Sequence, residues 1–151
     1  MSGDFRILSV QDIESILRFE RNQLEKIHGE SPEATFAEWS ARWRQEQLEH
    51  YLKLGWSLGV FKNGDLAAYL LAQPFVFFQG ITQTLWVEYM SCSNKLDGMT
   101  LLDSIVRYSK EKHLQRVLVE ESIVSEFELA GFKNRAVVFK AVEFLTTKGP
   151  T

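Results

Sequence analysis

The chain has 151 residues, 45% of them apolar and 25% charged, a length and balance that suit one globular domain spanning 1–151. The formal net charge of −3 gives no basic footprint for nucleic acid, and no apolar run approaches the roughly 20 residues that cross a bilayer. The single cysteine, Cys92, excludes an intramolecular disulfide and a multi-cysteine zinc cluster, so no metal centre is expected. The start, Met1-Ser2-Gly3-Asp4, has no basic segment followed by an apolar one, and a cytoplasmic location is the expectation.

Phe5-Arg6-Ile7-Leu8 reads as a short strand. Ser9 follows as an N-cap with an acid, Asp12, three residues on. Ile13, Ile16, Leu17, Leu24 and Ile27 then mark one face of a helix of about four turns. His28-Gly29-Glu30-Ser31-Pro32 stops that helix and starts a second. The second helix carries Phe36, Trp39, Trp43, Leu48, Tyr51 and Leu52 at 3–4 spacing among charges, an aromatic packing stripe on a surface helix.

The middle of the chain is rich in strand formers. Residues 56–61 are one run, and Lys62-Asn63-Gly64-Asp65 is a hairpin signal, because Asn-Gly accepts the positive φ values of a type I′ turn. Residues 66–78 return, with Pro74 marking an edge, bulge or bend. After a turn at Gln79-Gly80-Ile81-Thr82, residues 84–92 form a strand that is apolar on both faces apart from Glu88. Leu101, Leu102, Ile105, Val106 and Ser109 line a third helix, residues 116–120 a fifth strand, residues 122–130 a short helix closed by Gly131, and residues 136–145 a last strand. The predicted fold is α/β, a mixed twisted sheet with helices on both faces in the order βααβββαβαβ.

That order, with Gly59-Val60-Phe61-Lys62-Asn63-Gly64-Asp65-Leu66-Ala67-Ala68-Tyr69 as a hairpin and Phe127-Glu128-Leu129-Ala130-Gly131-Phe132 as a closing Gly-Phe signature, resembles the GCN5-related N-acetyltransferase superfamily. The resemblance implies acetyl-CoA as cosubstrate and an amine acceptor, a small molecule or a peptide, with neither nucleic acid nor membrane as partner. It leaves the oligomeric state open, a homodimer included. The family's pyrophosphate loop reads Gln/Arg-x-x-Gly-x-Gly/Ala. Lys95-Leu96-Asp97-Gly98-Met99-Thr100 keeps a cation and the first Gly, with Thr100 in place of the last small residue. A register that puts Gly98 in the last small position fits the helix's leucines better, and both registers remain open. The resemblance assigns the backbone of Met90, Ser91 and Cys92 to the acyl carbonyl. It assigns the turn with Asn94, Lys95, Gly98, Met99 and Thr100 to the pyrophosphate, at a helix N-terminus whose N–H groups favour anions.

Two departures bear on function. Asp97 brings a negative charge to that helix start, where it either opposes phosphate or caps the helix. Phe127 stands where many members of the family carry a Tyr that protonates the leaving thiolate, and phenylalanine has no proton to give. For a base, Glu88 is the first choice and Glu120 the reserve; a Glu88 buried among Trp86, Val87 and Tyr89 would be raised toward neutrality. Cys92 reads as a buried thiol, and His28, His50 and His113 lie at polar positions. Two classes of function follow: acyl transfer from an acyl-CoA to an amine, or a binding module that keeps the fold without the chemistry.

Overall fold

The computed structural model describes residues 4–78, 80–127, 129, 132 and 141–146. Five strands form one sheet in the order β1-β2-β3-β4-β5: β1 Asp4–Ile7, β2 Leu58–Lys62, β3 Asp65–Phe78, β4 Ile81–Cys92 and β5 Arg116–Val119. The first four pair antiparallel and β5 runs parallel to β4, so the sheet is mixed. Helices α1 (Ile13–His28) and α3 (Gln45–Leu52) pack on one face, around Leu8, Ile16, Leu17, Trp43, Leu48, Tyr69 and Leu71. Helix α4 (Lys95–Glu111) covers the other, on Val60, Leu70, Leu85, Val87 and Met90, with the short α5 (Glu121–Val124) beside it. Helix α2 (Pro32–Trp39) joins α1 to α3.

The Asn-Gly turn forms as its chemistry predicts. Asn63 and Gly64 have φ of 53° and 85°, and Lys62 pairs with Asp65 across the two-residue loop. The cap before α1 also forms. Ser9 and Asp12 close a capping box on a 3₁₀ turn that leads into the helix. Asp12, 6% exposed, is in addition gripped by Arg6 at 2.7 and 2.9 Å. Arg6 in turn stacks on Phe61, 4.1 Å from its ring centre.

Several expectations change. The second helix is two helices, α2 and α3, because the chain breaks at residues 40–44, where the Ser40 hydroxyl reaches back to the carbonyls of Phe36 and Ala37. The break lets Trp43 turn into the core at 4% exposure while Phe36 and Trp39 stay exposed, edge to face with each other, so Trp39 is not a packing residue. Ile27, in the last turn of α1, is 73% exposed and does not join the apolar face. The last strand falls mostly outside the described residues, and its described end, 141–146, lies in no strand. The proposed short helix ends at Val124; of its closing residues, Glu128, Ala130 and Gly131 lie outside the described set.

The Arg6 hydrogen bonds, then the Ser9 N–H, hold the Asp12 carboxyl below the usual carboxylate range. This contribution to stability is present above the unfolded pKa of about 3.9 and is lost as pH falls through the lower folded value. Asp12→Asn is therefore expected to cost about 1–2 kcal/mol at pH 7, the lower part of the range for charged hydrogen bonds because Arg6 is half exposed. Urea unfolding at pH 7 and pH 3 checks it: the gap between wild type and variant should narrow at the lower pH.

Candidate functional site

The site begins with one extra residue in β4. Ala72 pairs with Val87 and Leu71, its neighbour on β3, pairs with Tyr89, so Glu88 is a β-bulge. The bulge resets which residues face which layer. Leu85 and Val87 point toward α4 before it, Met90 and Cys92 after it, while Tyr89 joins the layer of α1 and α3. The bulge is also where β5 stops. Its pairing covers Thr84–Val87 against Arg116–Val119, and beyond Val87 the backbone of β4 runs on without β5. Beyond Val87 the two strands are no longer paired, and only Ser93 and Asn94 separate the end of β4 from α4.

The loop between α2 and α3 reaches the place where this pairing ends. Arg42 donates to the Glu120 carboxylate just past the end of β5 and, at 3.4 Å, to the Glu88 carbonyl on β4. Glu120 also accepts from the Ser122 hydroxyl at 3.0 Å, and these partners, Arg42 first, hold its carboxyl below the usual range. The Glu88 carboxylate is half-buried rather than enclosed among apolar groups. It accepts the Trp86 indole N–H at 2.6 Å and also meets the Tyr51 phenol, which burial first and then the Glu88 charge push up to about 12. Both predicted residues therefore lie where β5 ends: Arg42 holds the Glu120 carboxylate and the Glu88 backbone carbonyl, and Trp86 holds the Glu88 carboxylate.

At the other end, Ser93 anchors the turn by donating both N–H (3.0 Å) and hydroxyl (3.1 Å) to the Ala67 carbonyl. Asn94 is the N-cap of α4, accepting the Asp97 N–H at 3.0 Å. The Asp97 carboxylate turns inward, 7% exposed, and Lys62 Nζ lies 2.8 Å and Asn94 Nδ2 2.8 Å from it. Its charge is spent on Lys62 and on the side-chain amide of Asn94, so Asp97 braces the residue that caps the helix and is not itself the cap. Lys95 is exposed at the first helical position, and Met99 is half-buried. The Thr100 hydroxyl is turned back onto the Leu96 carbonyl at 2.9 Å.

Gly98 has a different reason to be glycine than the one the sequence suggests. A Cβ there would lie 2.7 and 2.9 Å from Phe127 ring atoms and 3.0 Å from Cys92 Sγ. The bare Cα accommodates Phe127, whose ring tip lies against it beside the Cys92 sulfur. Cys92 is half-buried, and burial pushes its thiol up, as a packed thiol should be. Met90 points into the core toward α4, so only its backbone can serve a ligand.

Sequence reasoning missed Arg42 and Glu20. Glu20 of α1 is 4% exposed, with burial raising its carboxyl, beside Ser91, Tyr69 and Tyr89. The signal was present: position 20 falls in the apolar stripe of Ile13, Ile16, Leu17 and Leu24. Nothing local marks Arg42, whose partners are 46 and 78 residues away.

No model of a protein family matches the sequence, and no curated protein matches it. Solved structures do match its fold. The chain is similar to the PaiA N-acetyltransferase of Thermoplasma acidophilum in complex with coenzyme A, at 18% identity and TM-score 0.59 over 79% of each chain. It is similar to the ribosomal-protein-alanine N-acetyltransferase of Brucella melitensis biovar Abortus 2308, at 13% identity and TM-score 0.61, covering 96% of this chain and 99% of that one. An aminoglycoside acetyltransferase from an uncultured soil metagenomic sample, in complex with sisomicin, matches at 13% identity and TM-score 0.60, covering 97% and 96%. The chain thus has the GCN5-related N-acetyltransferase fold, in a divergent sequence.

Gly98→Ala tests the packing reading. Overpacking costs about 1–3 kcal/mol, set against about 1 kcal/mol gained in helix propensity. A net loss in urea unfolding is expected, and Phe127→Leu in the same chain should recover part of it. Independent, additive effects of the two substitutions would show that Phe127 does not press on Gly98.

Proposed function

We propose that the protein is an acyl-CoA-dependent N-acetyltransferase that moves an acetyl group from acetyl-CoA to an amine. The observation that carries this reading is the end of the β4–β5 pairing at the Glu88 bulge, shortly before the start of α4. The thioester arm would lie along the backbone of Met90, Ser91 and Cys92, on the side away from β3, which β5 does not reach among the described residues. The pyrophosphate would sit on the turn at Asn94 and Lys95, where the unused N–H groups of the first helical turn and the Lys95 ammonium provide positive potential. Asp97 does not oppose it, because Lys62 and Asn94 hold its carboxylate inside. Gly98, Met99 and Thr100 then support the turn rather than touch phosphate.

An acceptor amine arrives as an ammonium at neutral pH. Glu88 and Glu120, where β5 ends, form an acidic entrance that draws it in, with Arg42 on the Glu120 carboxylate and the Glu88 carbonyl. Trp86 and Tyr51 fix the orientation of the Glu88 carboxylate, which suits it to receive a cation. Holding the amine against the thioester supplies much of the rate, and the thiolate leaves without a tyrosine and takes its proton from water. The acceptors of the similar enzymes, an aminoglycoside and a ribosomal protein by their names, bracket the acceptor class: a small polyamine or a peptide amine. A second reading, a module that binds here without chemistry, is favoured by Phe127 and by the Arg42–Glu120 pair at the end of β5.

Calorimetric titration with CoA separates the two. Binding is expected, and Lys95→Glu should weaken it about fivefold, in proportion to an exposed ion pair lost and reversed, with the difference shrinking at high salt. No heat and no change in melting temperature at millimolar CoA would leave the module as the function. Glu88→Gln is expected to lower acetyl transfer at unchanged CoA affinity; transfer indifferent to this change would make Glu88 structural.

A further inference from the structure

Glu20 is a buried charge that the chemistry above leaves unused. It sits mid-helix on α1, 4% exposed, and its Oε1 has no hydrogen-bond partner. No cation pairs with it among the described residues; its polar neighbours are hydroxyls. Tyr69 faces it from β3, fully buried, its own oxygen unpartnered. Ser91 from β4 is a neighbour of both the Glu20 carboxyl and the Tyr89 phenol. Tyr89 feels Glu20 and also Arg42, in the loop between α2 and α3. Cys92 is the remaining titratable neighbour that senses Glu20. A carboxyl with hydroxyls and no counter-ion is a poor structural device, because a neutral side chain of the same shape would avoid the desolvation cost. The Glu20 carboxyl, the Ser91 hydroxyl and the Tyr89 hydroxyl are instead grouped on the side of the sheet where Arg42 lies.

We propose that Glu20 is the proton acceptor of the transfer, reached from the acceptor's ammonium through the hydroxyls of Tyr89 and Ser91; this rests on the acetyl-transfer reading. The ammonium gives one proton to the Tyr89 oxygen as Tyr89 passes its own to Ser91 and Ser91 passes its own to Glu20. The neutral amine attacks the thioester carbon, the N–C bond forms and the C–S bond breaks. The second nitrogen proton goes with the departing thiolate by way of water, and Glu20 returns its proton to solvent by the same path. Burial raises the Glu20 carboxyl above the ordinary carboxylate range, toward the pH at which a base is useful. Because its folded pKa is raised, Glu20 favours the fold below the unfolded value, and that contribution is lost as pH rises through the folded one.

The test is thiol release from acetyl-CoA across pH with three probe amines, sisomicin, spermidine and a tripeptide with N-terminal alanine. It compares wild type with Glu20→Gln, Glu20→Asp and Ser91→Ala, with CoA affinity and urea stability measured on the same proteins. The expected result for Glu20→Gln is a loss of kcat/KM of about 10²–10⁴-fold, loss of the rising acid limb of the pH profile and unchanged CoA affinity. Its stability should equal or exceed that of wild type, increasingly so as pH rises. Ser91→Ala should lose part of the rate, and Glu20→Asp should keep a pH limb at reduced rate and stand in if Glu20→Gln fails to fold. Wild-type transfer that Glu20→Gln matches, limb included, overturns the role of Glu20 and leaves the acetyl-transfer reading standing. A rate loss matched by lost stability or lost CoA binding also overturns it, as a structural effect. No thiol release by the wild type with any probe removes acetyl transfer itself and the role of Glu20 with it.

Discussion

One inserted residue organises this molecule. A β-strand alternates its side chains strictly, so β4 could not present Leu85 and Val87 to α4 at one end and Met90 and Cys92 to the same helix at the other without breaking step. The bulge at Glu88 breaks it. The extra residue also twists the strand, and β5, which follows β4 as far as Val87, does not follow it further. Core packing on the α4 side, the polar side chains gathered on the α1 side and the end of the β4–β5 pairing are thus consequences of a single register shift.

The polar groups around this place fall into two kinds. Some are satisfied internally: Asp97 by Lys62 and Asn94, Asp12 by Arg6 and Ser9. These fix the ends of helices to strands, and their charges are unavailable to a ligand. Others stay partly in solvent: Arg42 pairs with the Glu120 carboxylate and reaches the Glu88 carbonyl, and that ion pair can exchange for an incoming group at modest cost. Glu20 belongs to neither kind, being enclosed without a counter-ion among the described residues.

The contact of Phe127 with Gly98 ties three elements together. The Phe127 ring rests on the bare Cα of Gly98, with the Cys92 sulfur alongside. Helix α4, strand β4 and the segment after α5 meet at this one point. A residue change at any of the three would be felt by the other two, as close-packed interiors require.

Much of the architecture was legible in the residues themselves, because its signals are local. The Asn63-Gly64 turn, the Ser9 cap, the apolar stripes of α1 and α4 and the strand–turn–helix at Asn94 are each decided within a few residues by backbone preference and periodicity. The positions of Glu88 and Glu120 near the end of the β4–β5 pairing followed from strand order. What tertiary structure decided are matters of register and of distant pairing. Glu88 is a bulge only relative to β3; Arg42 finds partners in β4 and beyond β5; the aromatic stripe after Pro32 breaks so that Trp43 can reach the core; and Gly98 is glycine on account of a ring 29 positions away in the chain. Local sequence carries no record of what lies across a sheet or over a helix start, since the energy of those contacts exists only once the chain has closed on itself.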